Sequence, residues 1–397
     1  MTPLDGLRIL DFTAHAAGPF CTHMLAQLGA ECIKVETALR PDIFRRPHPV
    51  YGRMHAATFD QVSSVKRSIR LNLKHREGPP LALRLAALSD VVAESFRPGV
   101  LDRLGVGYAE MRTAREDIVM VSISASGQSG PDSHFSGYAP MFGAWGGLGY
   151  LTGYVGGPPT EIRHVMDHAV GMHAAVATLA ALQRRRATGC GCHVDVSARD
   201  VAAAFAGDAL LRADAGERPE RRGNEHEGIA PHGVYPTAED DRWITIVAGG
   251  DEAWAGLLEA MHRTDLAGDP RFDTPAARYR HREDLDREVG AWTCRRSGEE
   301  SVALLQSHGV AAHVSWSVAE LAADEHLRQR AAIVDVDVPG AGVRAAVGSP
   351  IRFSTTSEVG LRSGTPELGE AEEYVYGALL GLARRERERL VDDGVIH

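Results

Sequence analysis

Short apolar segments alternate with helical patterns along the first third of the chain, and this alternation restricts the fold more than any other feature. Residues 7–12 form the first apolar segment, small residues follow at 14–18, and a helical pattern covers 20–28. Further strands are predicted at 32–35, 68–73, 91–94 and 118–122, with a helix around 80–88. Strands separated by helices form parallel sheets with right-handed crossovers. The sequence therefore predicts an α/β fold with a parallel sheet.

The composition is that of an ordinary globular protein and excludes few functions. The 397 residues are 44% hydrophobic and 24% charged, and the net charge of −10 is spread along the chain, which argues against nucleic acid as a main partner. The start, MTPLDGLRILDF, has an Asp where a signal peptide would carry its basic residues, and no apolar run is expected to approach membrane-span length. We therefore expect a cytoplasmic protein without a membrane partner.

The cysteines do not predict a metal centre. Cys190, Cys192 and His193 lie close together, but no second ligand pair follows at zinc-finger spacing. The five cysteines also form no disulfide-like framework. We expect reduced thiols and no bound metal.

Asp167 is the strongest candidate for a functional residue. It stands almost alone among Ala, Val, Leu, Gly and Met at helical spacing, at the predicted start of a buried helix. Aspartate at this position often caps backbone N–H groups and suits the positive end of the helix dipole. However, glycines at 156, 157 and 171 would let a bulky ligand approach. A carboxylate that a ligand can reach and water cannot is a candidate nucleophile.

Several separated motifs resemble one family, the class III CoA-transferases. They include PLDGLRILDFTAHAAGP and LGAECIKVE near the start, then VKRSIRLNLK, ESFRPGVLDRLGVGY and VSISASGQSGP. The similarity continues through GGPPT, MDHAVGMHAAVATLAAL, RRRATGCGCHVDVS, RRGNEHEGIAPHGVYPT and PELGEAEEYV. The motifs are collinear over almost the whole chain. The family includes formyl-CoA and carnitine CoA-transferases, with alpha-methylacyl-CoA racemase as a relative.

The resemblance implies a two-domain architecture. Residues 1–205 would form a Rossmann-like, CoA-binding large domain, and residues 326–397 would return to complete it. Residues 206–325 would form a linker and a smaller inserted α+β domain. Two subunits would interlock as a homodimer, with the active site at their interface.

The resemblance also implies a reaction. Asp167 would attack an acyl-CoA thioester and become an aspartyl-CoA thioester, which a free carboxylic acid would then convert to a new acyl-CoA. The partners would be an acyl-CoA and a carboxylic acid, and no tightly bound cofactor is expected. The segment Gly223–Gly233 occupies the place of the family's mobile glycine loop and would act as a lid.

The same resemblance assigns a set of positions to CoA. They are His15, Ala16, Ala17, Leu71, Asn72, Lys74, Phe96, Arg97, Arg103 and Tyr138. Arginine suits phosphate because its planar fork combines charge with paired hydrogen bonds. Without the resemblance, Arg97 and Arg103 would be interpreted as surface residues. Lys66 and Arg67 could contact phosphate or only flank a strand.

Two other functions stay open. The racemase relative removes and returns a proton with a histidine and an aspartate, and its histidine falls on Tyr138, whose ordinary pKa of about 10 suits that task poorly. Ala139 replaces an acidic residue that family members often carry, which argues against formyl-CoA as the substrate. A non-catalytic CoA-binding protein is the third interpretation, and the presence of Asp167 argues against it.

Overall fold

The structure is a computed structural model that describes residues 1–46, 56–162, 165–338, 342–356 and 358–397. Within these ranges the strands are β1 (Arg8–Asp11), β2 (Glu31–Glu36), β3 (Arg67–Arg70), β4 (Val91–Glu94), β5 (Val119–Ser124), β6 (Cys192–Ser197), β7 (His232–Pro236), β8 (Trp243–Val247), β9 (Ala311–Val314), β10 (Ile333–Val338) and β11 (Gly342–Val347). The α-helices are α1 (Ala17–Gln27), α2 (Ala56–Ser63), α3 (Gly78–Ala87), α4 (Val100–Arg103), α5 (Tyr108–Ala114), α6 (Ala139–Trp145), α7 (Leu148–Leu151), α8 (Val165–Thr188), α9 (Ala198–Phe205), α10 (Gly207–Asp214), α11 (Asp251–Met261), α12 (Pro275–Arg280), α13 (Arg282–Thr293), α14 (Gly298–Ser307), α15 (Val318–Ala323), α16 (Glu325–Gln329) and α17 (Arg384–Asp392). A π-helix covers Glu373–Leu379.

The predicted α/β fold with a parallel sheet is confirmed. Strands β1 to β6 form one six-stranded sheet in the order β3-β2-β1-β4-β5-β6, and every neighbouring pair is parallel. The order reverses direction between β1 and β4, which makes that gap a topological switch point. Ligands of open parallel sheets bind beyond the carboxyl ends of the strands at such a point.

Two apolar cores cover the two faces of this sheet. Side chains alternate between the faces along each strand, so Ile9 joins the core on one face and Leu10 the core on the other. The first core contains residues of α1, α8 and α9, and the second contains residues of α3 and of the C-terminal segment. Tyr376 of the π-helix and Leu390 of α17 are buried in that second core. The C-terminal segment therefore completes the second face.

Helix α1 begins earlier than the sequence pattern indicates. The pattern starts at Phe20, whereas the helix starts at Ala17 and includes Pro19. Proline is compatible with the first turn because the N–H group it lacks would have no helical acceptor there. The small residues of the turn therefore belong partly to the helix, and this shortens the loop after β1.

The chain divides into two compact units. The first contains residues 1–149, 161–217 and 324–397, and the second contains 150–160 and 218–323. The second unit has an antiparallel sheet in the order β7-β8-β9 and its own core, in which Ile246, Leu257 and Leu285 are fully buried. Strands β10 and β11 form a separate antiparallel pair in the first unit. The predicted domain boundaries near 206 and 326 stay a prediction.

Helix α8 differs from its sequence expectation in two ways. It has 24 residues and is apolar enough, by length and composition, to cross a membrane, so the expectation that no segment approaches that limit is wrong. A single such helix is weak evidence of a membrane span, because core helices of globular proteins pass the same test. The helix is also not buried all round, since Met172 and Val176 are exposed while Val170 and Ala174 lie in the core.

Candidate functional site

The loops after β1 and β4 meet at the switch point. The backbone N–H of Ala14 donates to Ser95 Oγ at 2.9 Å, and that hydroxyl donates to the carbonyl of Ala14 at 3.2 Å. The N–H of Phe12 donates to the carbonyl of Ala93 at 2.8 Å. These bonds hold the loop with His15, Ala16 and Ala17 beside the loop with Phe96 and Arg97. Two of the predicted CoA-binding segments are thus neighbours at the carboxyl edge of the sheet.

Asp167 lies in the first turn of α8, close to the start of α1. A Cβ atom built at Gly171 would lie 2.7 Å from the carbonyl oxygen of Ala17, so only glycine allows this close helix packing. The ring of His168 packs edge-on against Phe20, with centroids 4.4 Å apart. Asp167 precedes Gly171 by four residues and shares its helix face. The half-buried carboxylate therefore lies beside the first turn of α1, and the positive end of the α8 dipole favours its charge.

His15 and Tyr138 lie close together. His15 has a positive φ of 67°, and its backbone N–H donates to Asp42 Oδ2 at 3.0 Å. The rings of His15 and Tyr138 are perpendicular, with centroids 5.8 Å apart. Tyr138 directly precedes α6 and is 62% exposed. Both aromatic side chains are accessible to a ligand near the loop after β1.

Arg97 and Arg103 present exposed charge near the switch point. Both side chains are solvent-exposed, and neither forms an ion pair with any residue that the structure describes. Arg103 Nη1 lies 3.1 Å from where a Cβ atom of Gly99 would be, so its guanidinium covers the turn that carries Arg97. Exposed arginines without carboxylate partners are suited to binding phosphate.

The group at 71–74 lies apart from these residues. It follows β3, the edge strand, which is three strands from β4 and hence about 14 Å away at the usual strand spacing. Leu71 is buried in the core, and Asn72 donates to the carbonyl of Gly394 and accepts from the N–H of Lys74. Of this group Lys74 alone is exposed.

A fully buried charge cluster, which the sequence did not predict, lies beneath the loop after β1. Lys66 Nζ is 3.0 Å from Asp11 Oδ2, and both side chains are 0% exposed. Lys66 also donates to Thr22 Oγ1 and to the carbonyl of Pro19. Lys66 flanks β3, as one of the two predicted alternatives has it, and the other alternative, a phosphate contact, is wrong because the side chain is buried. Its ammonium group points into the protein.

Asp11 organises the loop above it. One carboxylate oxygen accepts both the backbone N–H of Thr13 at 2.8 Å and its hydroxyl at 2.5 Å. Lys34 Nζ donates to the carbonyl of Thr13 at 2.7 Å. Burial alone would raise the pKa of Asp11, but the charges of Lys66 and Lys34 outweigh it and hold the pKa at about 2. The cluster thus stays charged and fixes the loop that carries His15.

Glu94 is a second buried carboxyl group that the sequence did not single out. It ends β4 at the switch point and is 4% exposed. Its Oε2 accepts the backbone N–H of Phe96 at 2.7 Å, and the hydroxyl of Ser122 also hydrogen-bonds to it. Burial raises the pKa of Glu94 to about 7, although these hydrogen bonds lower it in part. The one feature of the sequence that points to Glu94 is its position as an acidic residue at the end of an apolar strand.

The raised pKa of Glu94 predicts a pH dependence of stability. The folded protein binds this proton more tightly than the unfolded chain, where the pKa is near 4.5. The resulting stabilisation is complete below pH 4.5 and is lost as the pH rises through 7. The Glu94→Gln variant cannot ionise at this position. We therefore expect the unfolding free energy of Glu94→Gln minus that of the wild type to increase by about 2 kcal/mol when the pH is raised from 5 to 8. Urea unfolding at both pH values checks this, and equal differences at the two would contradict it.

The Cys-Gly-Cys-His segment, residues 190–193, lies at the start of β6. Cys192 and His193 lie in β6, where His193 Nε2 is 2.8 Å from Ser122 Oγ and the imidazole stacks on Tyr108 with centroids 5.0 Å apart. Cys190 is exposed before the strand. Across the described ranges no group of three or more His, Cys, Asp or Glu side chains is arranged to hold a metal ion.

The predicted lid segment, Gly223–Gly233, belongs to the second unit. The N–H of Gly223 donates to the carbonyl of Gly153 at 2.8 Å, and His232 Nδ1 lies 2.7 Å from the carbonyl of Asn224. The first bond joins the start of the segment to its own unit, and the second joins the two ends of the segment to each other. Its role as a lid stays a prediction.

Comparisons with known proteins agree with one another. The sequence profile of CoA-transferase family III matches residues 4–372. A succinyl-CoA–D-citramalate CoA-transferase of Chloroflexus aurantiacus is 33% identical over 99% of this chain and 98% of its own. A succinyl-CoA:mesaconate CoA-transferase of Haloarcula hispanica is 34% identical over 90% of this chain and 91% of its own. The crystal structure of a CAIB/BAIF family protein from Brucella suis matches with a TM-score of 0.85 at 30% identity, covering 95% of this chain and 99% of that one.

Proposed function

The chain belongs to CoA-transferase family III, and from this premise we propose that it moves CoA from an acyl-CoA to a free carboxylic acid through a thioester on Asp167. The observation that carries the proposal is the position of Asp167. Its half-buried carboxylate lies at the start of α8 and beside the first turn of α1, next to the loops at the switch point. A nucleophile at this place can meet the thioester of a CoA molecule bound at the sheet edge.

The proposed reaction consists of four acyl transfers. The Asp167 carboxylate attacks the donor thioester carbonyl, forming a mixed anhydride and releasing the CoA thiolate. The thiolate attacks the aspartyl carbonyl, which releases the donor acid and leaves an aspartyl-CoA thioester. The acceptor carboxylate attacks that thioester, forming a second anhydride and freeing the thiolate again. The thiolate finally attacks the acceptor acyl carbon, so the new acyl-CoA leaves and the Asp167 carboxylate is restored.

The energetics of this reaction require no external energy source. One thioester is consumed and one is formed, so no ATP is needed. Water competes with the carboxylic acid for each anhydride and for the aspartyl thioester, so the site must exclude water during turnover.

The relatives suggest which substrates to test first. Two of them are named for succinyl-CoA as the donor and for D-citramalate or mesaconate as the acceptor. Succinate, citramalate and mesaconate each carry two carboxylates. We propose succinyl-CoA as the donor and a small dicarboxylic acid as the acceptor for this protein. Arg97 and Arg103, which have no carboxylate partner among the described residues, would bind the phosphates of the donor.

A transfer assay tests the proposed function. The enzyme is incubated with succinyl-CoA and a panel of small dicarboxylic acids, without ATP, and acyl-CoA species are separated by chromatography. We expect a new acyl-CoA that depends on the added acid, with free succinate formed in equal amount. Exchange of an α-proton of a branched acyl-CoA in deuterated water, with no need for a second acid, would instead support racemase chemistry and contradict the proposal.

We further infer a homodimer from an exposed apolar surface on the first unit. Met172 and Val176 of α8 and Phe205 at the end of α9 are exposed, and Leu210 and Leu211 of α10 are about 70% exposed. Exposed apolar clusters of this kind mark association surfaces. We expect light scattering to give about 85 kDa, twice the chain mass of 42.7 kDa, and the Leu210→Glu/Leu211→Glu variant to give a monomer. A monomeric wild type would contradict the inference.

A further inference from the structure

Glu94 is a buried carboxyl group at the switch point that the proposed reaction does not use. It is the last residue of β4, next to β1 in the sheet. No lysine or arginine in the described part of the chain forms an ion pair with it. Burying a carboxyl group without a cation costs folding free energy unless hydrogen bonds compensate for it. Such groups concentrate at functional sites.

The hydrogen bonds of Glu94 act on the turn that follows it. Its Oε2 accepts the N–H of Phe96 at 2.7 Å, which fixes the start of the turn. Further along, the N–H of Val100 donates to the carbonyl of Arg97 at 3.1 Å, and the N–H of Arg103 donates to the carbonyl of Gly99 at 3.2 Å. The turn that Glu94 holds at Phe96 therefore leads directly into α4. Arg97 lies in this turn, and Arg103 lies at the end of α4.

The surroundings of Glu94 hold its carboxyl group in one orientation. Ser122 lies opposite it on β5, and its hydroxyl bonds both to Glu94 and, at 2.8 Å, to His193 Nε2. Asp102 of α4 and Asp195 of β6 are close enough to oppose a negative charge on Glu94. When it is protonated, the Glu94 carboxyl group can accept the hydrogen bond of the Phe96 N–H and also form a hydrogen bond with the Ser122 hydroxyl. Because Glu94 is almost entirely excluded from solvent, it is suited to holding the turn in place and not to donating a proton to a ligand.

We propose that Glu94 is a positioning residue for the nucleotide end of CoA. Its carboxyl oxygen holds the turn at 95–99, and through that turn it aims Arg97 and Arg103 at the phosphates. The proposal rests on the proposed function, because it assumes that CoA is the ligand. Glu94 itself touches neither the phosphates nor the reacting thioester in this account.

The test compares two ligands and three variants by calorimetric titration. CoA carries the phosphates, and pantetheine lacks them. We expect Glu94→Ala to raise the Kd for CoA about tenfold, the effect of losing one well-made buried hydrogen bond, and to leave pantetheine binding within twofold of the wild type. Glu94→Gln keeps an oxygen at the same place and should bind CoA nearly as the wild type does. Glu94→Asp withdraws the oxygen by one methylene and should behave like Glu94→Ala, which provides a second variant if alanine prevents folding.

A mutant cycle with the Arg97→Ala/Arg103→Ala variant tests the route of the effect. If Glu94 acts through these two arginines, adding Glu94→Ala leaves CoA binding about as weak as in Arg97→Ala/Arg103→Ala, whereas independent effects would multiply. Wild-type CoA affinity in Glu94→Ala and Glu94→Asp, equal losses for CoA and pantetheine, or independent effects in the cycle would each overturn the proposal. Failure of the wild type to bind CoA would instead overturn the proposed function.

Discussion

The Asp167→Asn variant should lose CoA transfer by about 10⁴-fold while remaining folded, because a carboxamide cannot form the anhydride and the thioester. The amide keeps the size of the side chain at the start of α8. Its effect on stability should be limited to the loss of a favourable charge at a helix N-terminus, about 0.5–1 kcal/mol. The measurement is the steady-state rate with succinyl-CoA and a dicarboxylic acid, together with the affinity for CoA, which should change little.

Asp200→Asn is the matched control for this variant. Asp200 lies in the first turn of α9, is exposed, and would lose the same charge at the same place in a helix. We expect it to keep full activity. Equal activity losses in the two variants would show that Asp167 serves only the helix, and full activity in Asp167→Asn would show that another residue is the nucleophile.

The Lys66→Met variant should lose about 3–5 kcal/mol of unfolding free energy, because it leaves the buried Asp11 carboxylate without its closest cation. Lys34 still faces Asp11 but bonds to the carbonyl of Thr13 rather than to the carboxylate. Loss of order in the loop after β1 should accompany the instability, since Asp11 fixes that loop through Thr13. Denaturant unfolding at pH 7 measures the effect.

A surface pair provides the control for Lys66. Arg384 and Glu388 form an ion pair in α17 with both side chains mostly exposed. The Arg384→Met variant removes the same kind of interaction in water and should change stability by less than about 1 kcal/mol. A comparably small effect of Lys66→Met would contradict the view that the buried cluster holds the loop.

The fold could be predicted from the sequence because its signals are local. The strand at 91–94 was predicted with the bounds that β4 has, and the helix expected around 80–88 is α3, Gly78–Ala87. The start of α1 was missed because the small residues at 14–18 suggested a turn, whereas Ala17 and Gly18 belong to the helix.

The site could be predicted only where its residues follow strand ends. His15 and Arg97 come directly after β1 and β4, and the carboxyl ends of parallel strands share one edge, so their proximity follows from the fold class. Nothing in the sequence shows that Lys66 reaches across the sheet to Asp11, or that Glu94 bonds back to Phe96. These contacts depend on how elements distant in the chain pack together. Buried polar partners of this kind have no periodic signature.

The most direct test of the central claim is to trap the intermediate on Asp167. The enzyme is incubated with succinyl-CoA, treated with hydroxylamine, digested and analysed by peptide mass spectrometry, with Asp167→Asn treated in parallel. The account predicts a hydroxamate on Asp167 in the wild type, dependent on succinyl-CoA and absent from the variant. A hydroxamate on another carboxylate, or CoA transfer by the wild type without any trapped enzyme carboxylate, would contradict it.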